Sequence, residues 1–166
     1  MEQISFENLS FLVVDDNPHM RKLLHLLLKS FNASSIYDAS DGAEALKRLR
    51  TLAADILIVD WEMSPLDGLE LVRMVRTGSD SPNPYIPILM ITGHSELHRV
   101  EEARDAGVNE FLVKPVSAKS LYARVATVVL RPRPFVRSRT YFGPDRRRRQ
   151  DPKYNGPERR KANKGG

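Results

Sequence analysis

The chain has 166 residues, 41% of them hydrophobic and 28% charged, a globular composition with room for one domain and a tail. It contains no cysteine, which excludes a disulfide framework, a thiol nucleophile and a cysteine zinc site. No apolar run is long enough to cross a bilayer and the first residues lack the layout of a signal peptide, so we expect a soluble cytoplasmic protein without membrane insertion.

Charge is divided unevenly along the chain. Residues 1–130 carry 13 Lys and Arg against 18 Asp and Glu, a net charge of −5, whereas residues 131–166 carry 13 against 3, a net charge of +10. We therefore predict a domain at 1–130 and a basic tail at 131–166. The asymmetry indicates an anionic partner for the tail, although a solubilising or unspecific polyanion-binding role would also explain the charge.

The acidic part alternates between apolar and amphipathic segments. Apolar segments predict strands at 11–14, 35–39, 55–60, 88–92 and 111–114. Amphipathic segments predict helices at about 18–30, 42–50, 68–76, 96–106 and 117–129. Strands that are apolar throughout are typical of a parallel sheet covered by helices on both faces. Five such units predict an α/β fold, a doubly wound five-stranded parallel sheet that ends near residue 130.

Polar side chains stand at the carboxyl ends of four predicted strands: Asp15, Asp16, Asp60, Thr92 and Lys114. Ligands of a doubly wound sheet bind beyond these ends, so we expect the five groups to converge. Clustered carboxylates without sulfur or histidine suit Mg²⁺. One carboxylate can act as a nucleophile and form an aspartyl phosphate, whose charge the metal, the lysine and the hydroxyl would neutralise.

Short motifs at these positions are similar to those of a known family. Over about residues 8–130 the sequence resembles the receiver domain of two-component response regulators, the CheY-like fold, on the motifs Val13-Val14-Asp15-Asp16-Asn17, Asp60-Trp61-Glu62-Met63, Pro65-Leu66-Asp67-Gly68 and Lys114-Pro115. The resemblance implies that Asp60 accepts a phosphoryl group from a histidine kinase. It implies that Asp15 and Asp16 are the acidic pair that binds Mg²⁺. The chain would then be a substrate of a kinase, so we do not expect it to be an enzyme.

The resemblance assigns roles to four further residues. Thr92 and Lys114 would contact the phosphoryl group, and the Lys114–Pro115 bond would be cis. The backbone carbonyl of Glu62 would join Asp60 and the acidic pair as a metal ligand, and Phe111 would be the switch aromatic. The acidic side chain of Glu62 disfavours or alters phosphorylation, and Phe111 lacks a hydroxyl, so it would switch by burial. A receiver fold that is never phosphorylated therefore stays open as an alternative.

The basic tail contains an internal repeat. Tyr141-Phe142-Gly143-Pro144-Asp145-Arg146-Arg147-Arg148 recurs 13 residues later as Tyr154-Asn155-Gly156-Pro157-Glu158-Arg159-Arg160-Lys161. The Gly-Pro step sets a turn that can hold the aromatic and the arginines around one ligand, and two copies indicate a ligand with two equivalent halves. Because the tail is highly charged, proline-rich and poor in apolar residues, we predict that it is disordered alone or ordered by its ligand. The ordered tail would lie against the receiver, near the last strands and helix.

Arginine, tyrosine and a carboxylate together suit guanine. Arginine binds the O6/N7 edge of guanine, stacks on its face and pairs with phosphate, and tyrosine stacks on bases. Guanine plus phosphate, twice, describes cyclic di-GMP, especially as a stacked dimer. The whole chain here resembles the CheY-like cyclic di-GMP effectors (Cle proteins), which join a receiver to an arginine-rich extension and some of which bind the flagellar motor switch. The predicted ligand-binding residues are Arg137, Arg139, Tyr141, Phe142, Asp145, Arg146, Arg147, Arg148, Arg149, Tyr154, Asn155, Glu158, Arg159 and Arg160.

Three functions remain open from the sequence. The first is a cyclic di-GMP effector without catalytic turnover that controls a protein partner, the flagellar motor. The second is a phosphorylation-controlled receiver whose tail binds RNA or DNA through its charge, and the third is a phospho-relay intermediate with an incidental tail. The repeated carboxylate favours the first, because acidic residues weaken plain polyanion binding. The run of arginines at 146–149 would satisfy the second.

Overall fold

Strands and helices alternate in the computed structural model, which describes residues 4–147. Five strands form one sheet: β1 (Ser10–Val14), β2 (Ser35–Ala39), β3 (Ile56–Asp60), β4 (Ile88–Thr92) and β5 (Glu110–Val113). The α-helices between and after them are α1 (Pro18–Ser30), α2 (Gly42–Thr51), α3 (Gly68–Thr77), α4 (Val100–Ala106) and α5 (Ala118–Leu130). All strand pairs are parallel, in the order β2-β1-β3-β4-β5, which confirms the predicted α/β fold.

The sheet is covered by helices on both faces. Successive side chains of a strand point to opposite faces, so β1 places Leu12 and Val14 in one core and Phe11 and Val13 in the other. Helices α2, α3 and α4 complete the first core, and α1 and α5 complete the second. Every residue of β3 and β4 is buried, which explains why these strands are apolar almost throughout.

Polar side chains determine where four of the helices begin. Asn17, Asp41, Asp67 and Ser117 each accept a hydrogen bond from a backbone N–H of the first turn. The helix predicted at 96–106 differs, because His94–Arg99 winds as a tighter 3-10 helix before α4. No side chain caps the start of that 3-10 helix. Within residues 4–147, no helix is long and apolar enough to span a membrane.

A short antiparallel hairpin follows α5, formed by β6 (Phe135–Arg137) and β7 (Phe142–Pro144). Phe135 and Phe142 pack against each other and against Tyr85, which precedes β4, with ring centroids 5.2 to 5.6 Å apart. The hairpin therefore lies at the amino-terminal edge of the sheet, opposite the strand ends that carry the acidic residues.

Close backbone packing and two ion pairs also hold the hairpin on the α/β domain. A Cβ atom at Gly143 would lie 2.7 Å from the Tyr141 hydroxyl and 3.1 Å from the Cα of Gly107, so glycine favours this close approach. Arg133 pairs with Glu110 at 3.2 Å, and Arg146 pairs with Asp105 at 2.6 Å. Basic residues of the tail thus contact acidic residues of the α/β domain, as the opposite charges of the two parts favour.

Residues 131–147 depart from the expectation of a tail that is disordered without ligand. Phe135, Phe142 and Tyr141 supply apolar surface to this segment, and Tyr141 is buried. The charge and proline content of the segment predicted disorder, but these aromatic side chains bury enough surface to order it. A folded hairpin consequently follows the domain predicted at 1–130. Beyond residue 147 the tail, with the second copy of its repeat, lies outside the described residues.

A buried arginine links the hairpin to the α/β domain. Arg76, near the end of α3, is 2% exposed and donates hydrogen bonds to the carbonyls of Gly107 and Pro84 and to Asn109 Oδ1, at 2.8 to 2.9 Å. Its guanidinium also lies 5.0 Å from the ring centroid of Phe135. Burial lowers the pKa of Arg76 to about 9. The side chain therefore contacts two connecting segments of the α/β domain and the hairpin at once.

We expect Arg76→Met to lower the free energy of unfolding by about 3 kcal/mol, since two backbone carbonyls lose their donor in the interior. Arg73→Met is the matched control on the same helix. Arg73 is half exposed and pairs with Glu102 at 3.5 Å, so its replacement should cost less than about 1 kcal/mol. Urea unfolding measures both, and equal stability of the two variants would contradict the role of Arg76.

Candidate functional site

Three carboxylates meet at the carboxyl-terminal edge of the sheet. Asp60 ends β3, Asp15 and Asp16 follow β1, and β1 and β3 are parallel neighbours. One carboxylate oxygen from each of the three lies within 4.8 Å of the others. Asp15 and Asp60 are buried, whereas Asp16 is exposed. The convergence predicted for these three residues is confirmed.

The environment of Asp15 shows that this cluster fits a cation. Its Oδ1 accepts a hydrogen bond from the backbone N–H of Asn17 at 2.9 Å, but its buried Oδ2 has no hydrogen-bond partner in the described part of the chain. Burial, followed by the charges of Asp60 and Asp16, raises the pKa of Asp15 from 3.8 to about 6. Buried carboxylates without compensating donors are costly, and a hard divalent cation is the ligand that relieves this cost. The donor set therefore fits Mg²⁺.

Lys114 joins this cluster, whereas Thr92 ends the neighbouring strand β4 and its hydroxyl donates to the carbonyl of Gly93 at 3.1 Å. Lys114 Nζ lies 3.0 Å from Asp60 Oδ1, and the Lys114 N–H donates to the backbone carbonyl of Thr92. Burial raises the pKa of Asp60, although the hydrogen bond from Lys114 opposes this effect. The pKa of Lys114 is also raised: burial lowers it, but the hydrogen bond to Asp60 and the charge of Asp60 outweigh burial. A buried carboxylate beside a fixed ammonium group is an arrangement that can stabilise added negative charge.

Backbone packing holds the strand that carries Asp60 in place. A Cβ atom at Gly68, the first residue of α3, would lie 2.2 Å from the carbonyl oxygen of Asp60, so α3 begins directly against the end of β3. The Lys114–Pro115 bond is cis, as the resemblance implied, and the Ser64–Pro65 bond is also cis. Phe111, predicted as the switch aromatic, is half-buried and packs against the core that α2, α3 and α4 cover.

A cleft of about 550 Å³ opens beside the acidic cluster, with acidic and aromatic residues in its wall. Glu62 lies here, and a hydrogen bond with Glu96, together with the charge of Glu96, raises its pKa. Arg99 stacks over the ring of Trp61, with its guanidinium carbon 5.1 Å from the ring centroid. The sequence analysis missed Glu96 and Arg99. Both belong to the 3-10 helix, which has three residues per turn and so does not follow the α-helical spacing of apolar residues.

The seven predicted ligand-binding residues of the tail that the structure describes lie at the other edge of the sheet. Guanidinium groups stack on aromatic rings at two places in the hairpin, Arg137 on Phe142 at 4.5 Å and Arg146 on Tyr141 at 4.4 Å. Arg139 is exposed. The other seven predicted residues lie outside the described residues: Arg148, Arg149, Tyr154, Asn155, Glu158, Arg159 and Arg160.

Tyr141 and Asp145 take positions that differ from their expected contacts with a base. Tyr141 is 7% exposed, and its hydroxyl donates to the backbone carbonyl of Pro144 at 2.6 Å. Asp145 accepts hydrogen bonds from the backbone N–H and the guanidinium of Arg147 at 3.1 to 3.5 Å. The ring of Tyr141 thus stacks against the guanidinium of Arg146, and Asp145 orients the guanidinium of Arg147 by hydrogen bonds.

The doubly wound sheet, with an acidic triad and a lysine at its carboxyl edge, defines a receiver domain. The profile described as "Response regulator receiver domain" matches residues 11–126, and the chain belongs to this family. Receiver domains bind Mg²⁺ at an acidic site, and Asp15, Asp16 and Asp60 form such a cluster here. The family match ends before the hairpin, which therefore lies outside the part shared with the family.

Individual relatives are CheY-type proteins. The chain is 35% identical to the chemotaxis protein CheY-3 of Vibrio cholerae over 121 residues, which cover 73% of this chain and 92% of that protein. It is 33% identical to the chemotaxis protein CheY of Pseudomonas aeruginosa over 120 residues, covering 72% of this chain and 95% of that protein. Among solved structures, chemotaxis protein CheY4 of Vibrio cholerae superposes with a TM-score of 0.66 at 29% identity, over 72% of this chain and 98% of that one.

We expect Asp15→Asn to stabilise the Mg²⁺-free protein at pH 8 by about 1–2 kcal/mol. The pKa of Asp15 is about 6 in the folded state, above its ordinary 3.8, so ionisation costs stability above pH 6 and that cost disappears as the pH falls below 3.8. The amide removes this cost, but it also removes a metal ligand, so Mg²⁺ should stabilise the wild type more than the variant.

Urea unfolding with and without Mg²⁺ at pH 8 measures both the stability gained by the amide and the stabilisation by Mg²⁺ that it loses. The matched control is Asp80→Asn, since Asp80 is exposed, lies beyond the end of α3 and pairs with Arg50 at 3.1 Å. Its stability should stay within about 1 kcal/mol of the wild type, with the full gain from Mg²⁺. A less stable Asp15→Asn protein in the absence of Mg²⁺, or an undiminished gain from Mg²⁺, would show that the site is assigned incorrectly.

Proposed function

We propose that the chain is a single-domain response regulator whose arginine-rich C-terminal segment binds cyclic di-GMP, and that this binding controls a protein partner, the flagellar motor switch. The repeated Tyr-x-Gly-Pro-acidic-Arg-Arg motif carries the proposal, because a tail selected for charge alone has no need to repeat a tyrosine, a turn and a carboxylate. Two copies suit the two guanine halves of the ligand, bound as a stacked dimer. In this protein Mg²⁺ and a histidine kinase act at the opposite edge of the sheet, where Asp60 is the phospho-acceptor and Thr92 and Lys114 contact the phosphoryl group.

The contacts within the first motif support this function, because they orient arginines before any ligand arrives. Tyr141 supports the guanidinium of Arg146, and the Tyr141 hydroxyl binds the carbonyl of Pro144. Asp145 holds the guanidinium of Arg147 by two hydrogen bonds. Arginines that are held in place lose less conformational freedom on binding, and a guanidinium offers both a flat face and a fork of donors to guanine and phosphate. In this account the repeated Tyr, Pro and carboxylate position the arginines, and the arginines bind the ligand.

The position of the hairpin also supports a link between ligand and partner. Arg146 pairs with Asp105 in α4, and Arg133 pairs with Glu110 at the start of β5. A ligand that takes the guanidinium of Arg146 competes with the carboxylate of Asp105 for the same donors. Binding would therefore change the surface formed by the hairpin and α4, which is a surface that a partner can recognise.

The main alternative is a receiver whose tail binds RNA or DNA through charge. Unspecific binding of this kind depends on the number of cations and not on their positions, and it loses orders of magnitude in affinity between about 50 and 200 mM salt. Recognition of guanine depends on particular arginines and requires O6, N1–H and N2–H, which adenine lacks. Single-arginine variants and the choice of dinucleotide therefore distinguish the two functions.

We expect Arg147→Ala to weaken binding of cyclic di-GMP by at least about tenfold, since it removes an arginine that Asp145 holds in place. Arg131→Ala is the matched control, because Arg131 is an exposed arginine of the same segment outside the predicted ligand-binding set. It should change the affinity less than about threefold. Isothermal titration calorimetry at 150 mM salt measures both variants, and cyclic di-AMP should bind more weakly than cyclic di-GMP.

Either of two results would contradict the proposal and favour charge-driven binding to nucleic acid. One is equal affinity of the intact chain for cyclic di-GMP and cyclic di-AMP. The other is an equal loss of affinity from Arg147→Ala and Arg131→Ala, together with a steep fall in affinity as salt rises.

A further inference from the structure

Tyr85 is the large exposed aromatic residue of the receiver that lies beside the hairpin. It sits in the segment between α3 and β4, and 56% of it is exposed. Its ring makes edge-to-face contacts with Phe135 at 5.2 Å and with Phe142 at 5.3 Å between centroids. The three rings form an aromatic cluster, defined as Tyr85, Phe135 and Phe142, that joins the receiver to the hairpin.

The receiver holds Tyr85 in place independently of the hairpin. The backbone N–H of Tyr85 donates to Asn83 Oδ1 at 3.2 Å, and the next residue, Ile86, is buried in the core. Arg76 donates to the carbonyl of Pro84, directly before Tyr85, at 2.8 Å. A ring that is anchored at its backbone and exposed at its side chain is suited to contact a ligand, because little freedom remains to be lost.

Positive charge borders the aromatic cluster. Arg137 pairs across the hairpin with Phe142, and its guanidinium lies 4.5 Å from the centroid of that ring. The segment 131–147 contains six arginines and one acidic residue, Asp145, which the neighbouring Arg147 engages. Flat rings beside exposed guanidinium groups are the combination that binds a base by stacking and its phosphate by charge.

We infer that the aromatic cluster and Arg137 form a stacking surface for a guanine base of cyclic di-GMP, and that Tyr85 contributes to it from the receiver itself. The inference rests on the proposed function and extends its binding site beyond the tail. The positive charge on this surface favours an anionic nucleotide over an uncharged apolar partner. A further consequence is that the isolated tail lacks part of the site, because Tyr85 belongs to the folded receiver.

The first test measures the affinity of full-length variants for cyclic di-GMP by isothermal titration calorimetry. Tyr85→Leu retains apolar packing on Phe135 and Phe142 but removes the ring, so affinity should fall by about tenfold or more. Tyr85→Phe restores the ring and should restore binding relative to Tyr85→Leu. Tyr37→Leu is the matched control, since Tyr37 is a half-buried tyrosine of β2, at the other side of the sheet.

The second test reports on the position directly and does not depend on loss of function. Tyr85→Trp in a Trp61→Phe background leaves an indole only at residue 85, because Trp61 is the single tryptophan of the chain. Stacking of guanine on this indole should quench its fluorescence, and the quenching should saturate with the calorimetric affinity. An indole whose emission stays unchanged at saturating cyclic di-GMP would overturn the inference.

The outcomes separate this inference from the function on which it rests. If the wild type does not bind cyclic di-GMP, the proposed function fails. If the wild type binds and Tyr85→Leu binds equally well, the proposed function stands and the stacking role of Tyr85 is overturned. If Tyr85→Leu loses affinity while its melting temperature matches that of Tyr37→Leu or exceeds it, the loss comes from the missing ring and supports the inference.

Discussion

All five strands of the central sheet run in the same direction, and this constraint separates two chemically different edges. The carboxyl ends of β1 and β3 bring Asp15, Asp16 and Asp60 together, with Lys114 beside them at the end of β5. The amino ends of β4 and β5 leave a surface at the opposite edge, which the hairpin of β6 and β7 covers. The first edge gathers negative charge and the second gathers arginines. The two proposed activities, at Mg²⁺ and at cyclic di-GMP, therefore do not compete for space.

The hairpin and the receiver hold each other through contacts of different kinds. Aromatic packing around Tyr85 buries apolar surface, Gly143 allows the backbone to approach Gly107, and Arg76 connects α3 to the hairpin from beneath. The Arg146–Asp105 ion pair is exposed and contributes little to stability, whereas Arg133 neutralises Glu110, a carboxylate that is 3% exposed. The two ion pairs contribute to specificity, because they determine which arginines face the receiver and which remain available to a ligand. This division explains how a segment with a net charge of +5 lies on a folded domain and still offers guanidinium groups to a ligand.

The fold and the acidic cluster could be predicted because both follow from local patterns. The apolar segment 56–60 reads as a buried strand, and an acidic residue at its end must lie at the sheet edge. The hairpin could not be predicted in this way, because its strands have three residues each and its contacts link Tyr85 to rings more than 45 residues away. Tyr141 is instructive, since the same tyrosine–arginine pairing that indicated a base-binding motif also forms within the protein, with Arg146 above a buried ring. Composition indicates what a segment can bind, but it does not say whether its own side chains satisfy those contacts first.

The central claim is that residues 131–147 fold on the receiver before ligand binds and so present oriented arginines. Nuclear Overhauser measurements on the free full-length chain test it most directly, through the contact between the rings of Tyr85 and Phe142. The account predicts cross-peaks between these rings without cyclic di-GMP, and strand-like chemical shifts for β6 and β7. Random-coil shifts over residues 131–147 and the absence of these cross-peaks in the free chain would contradict it.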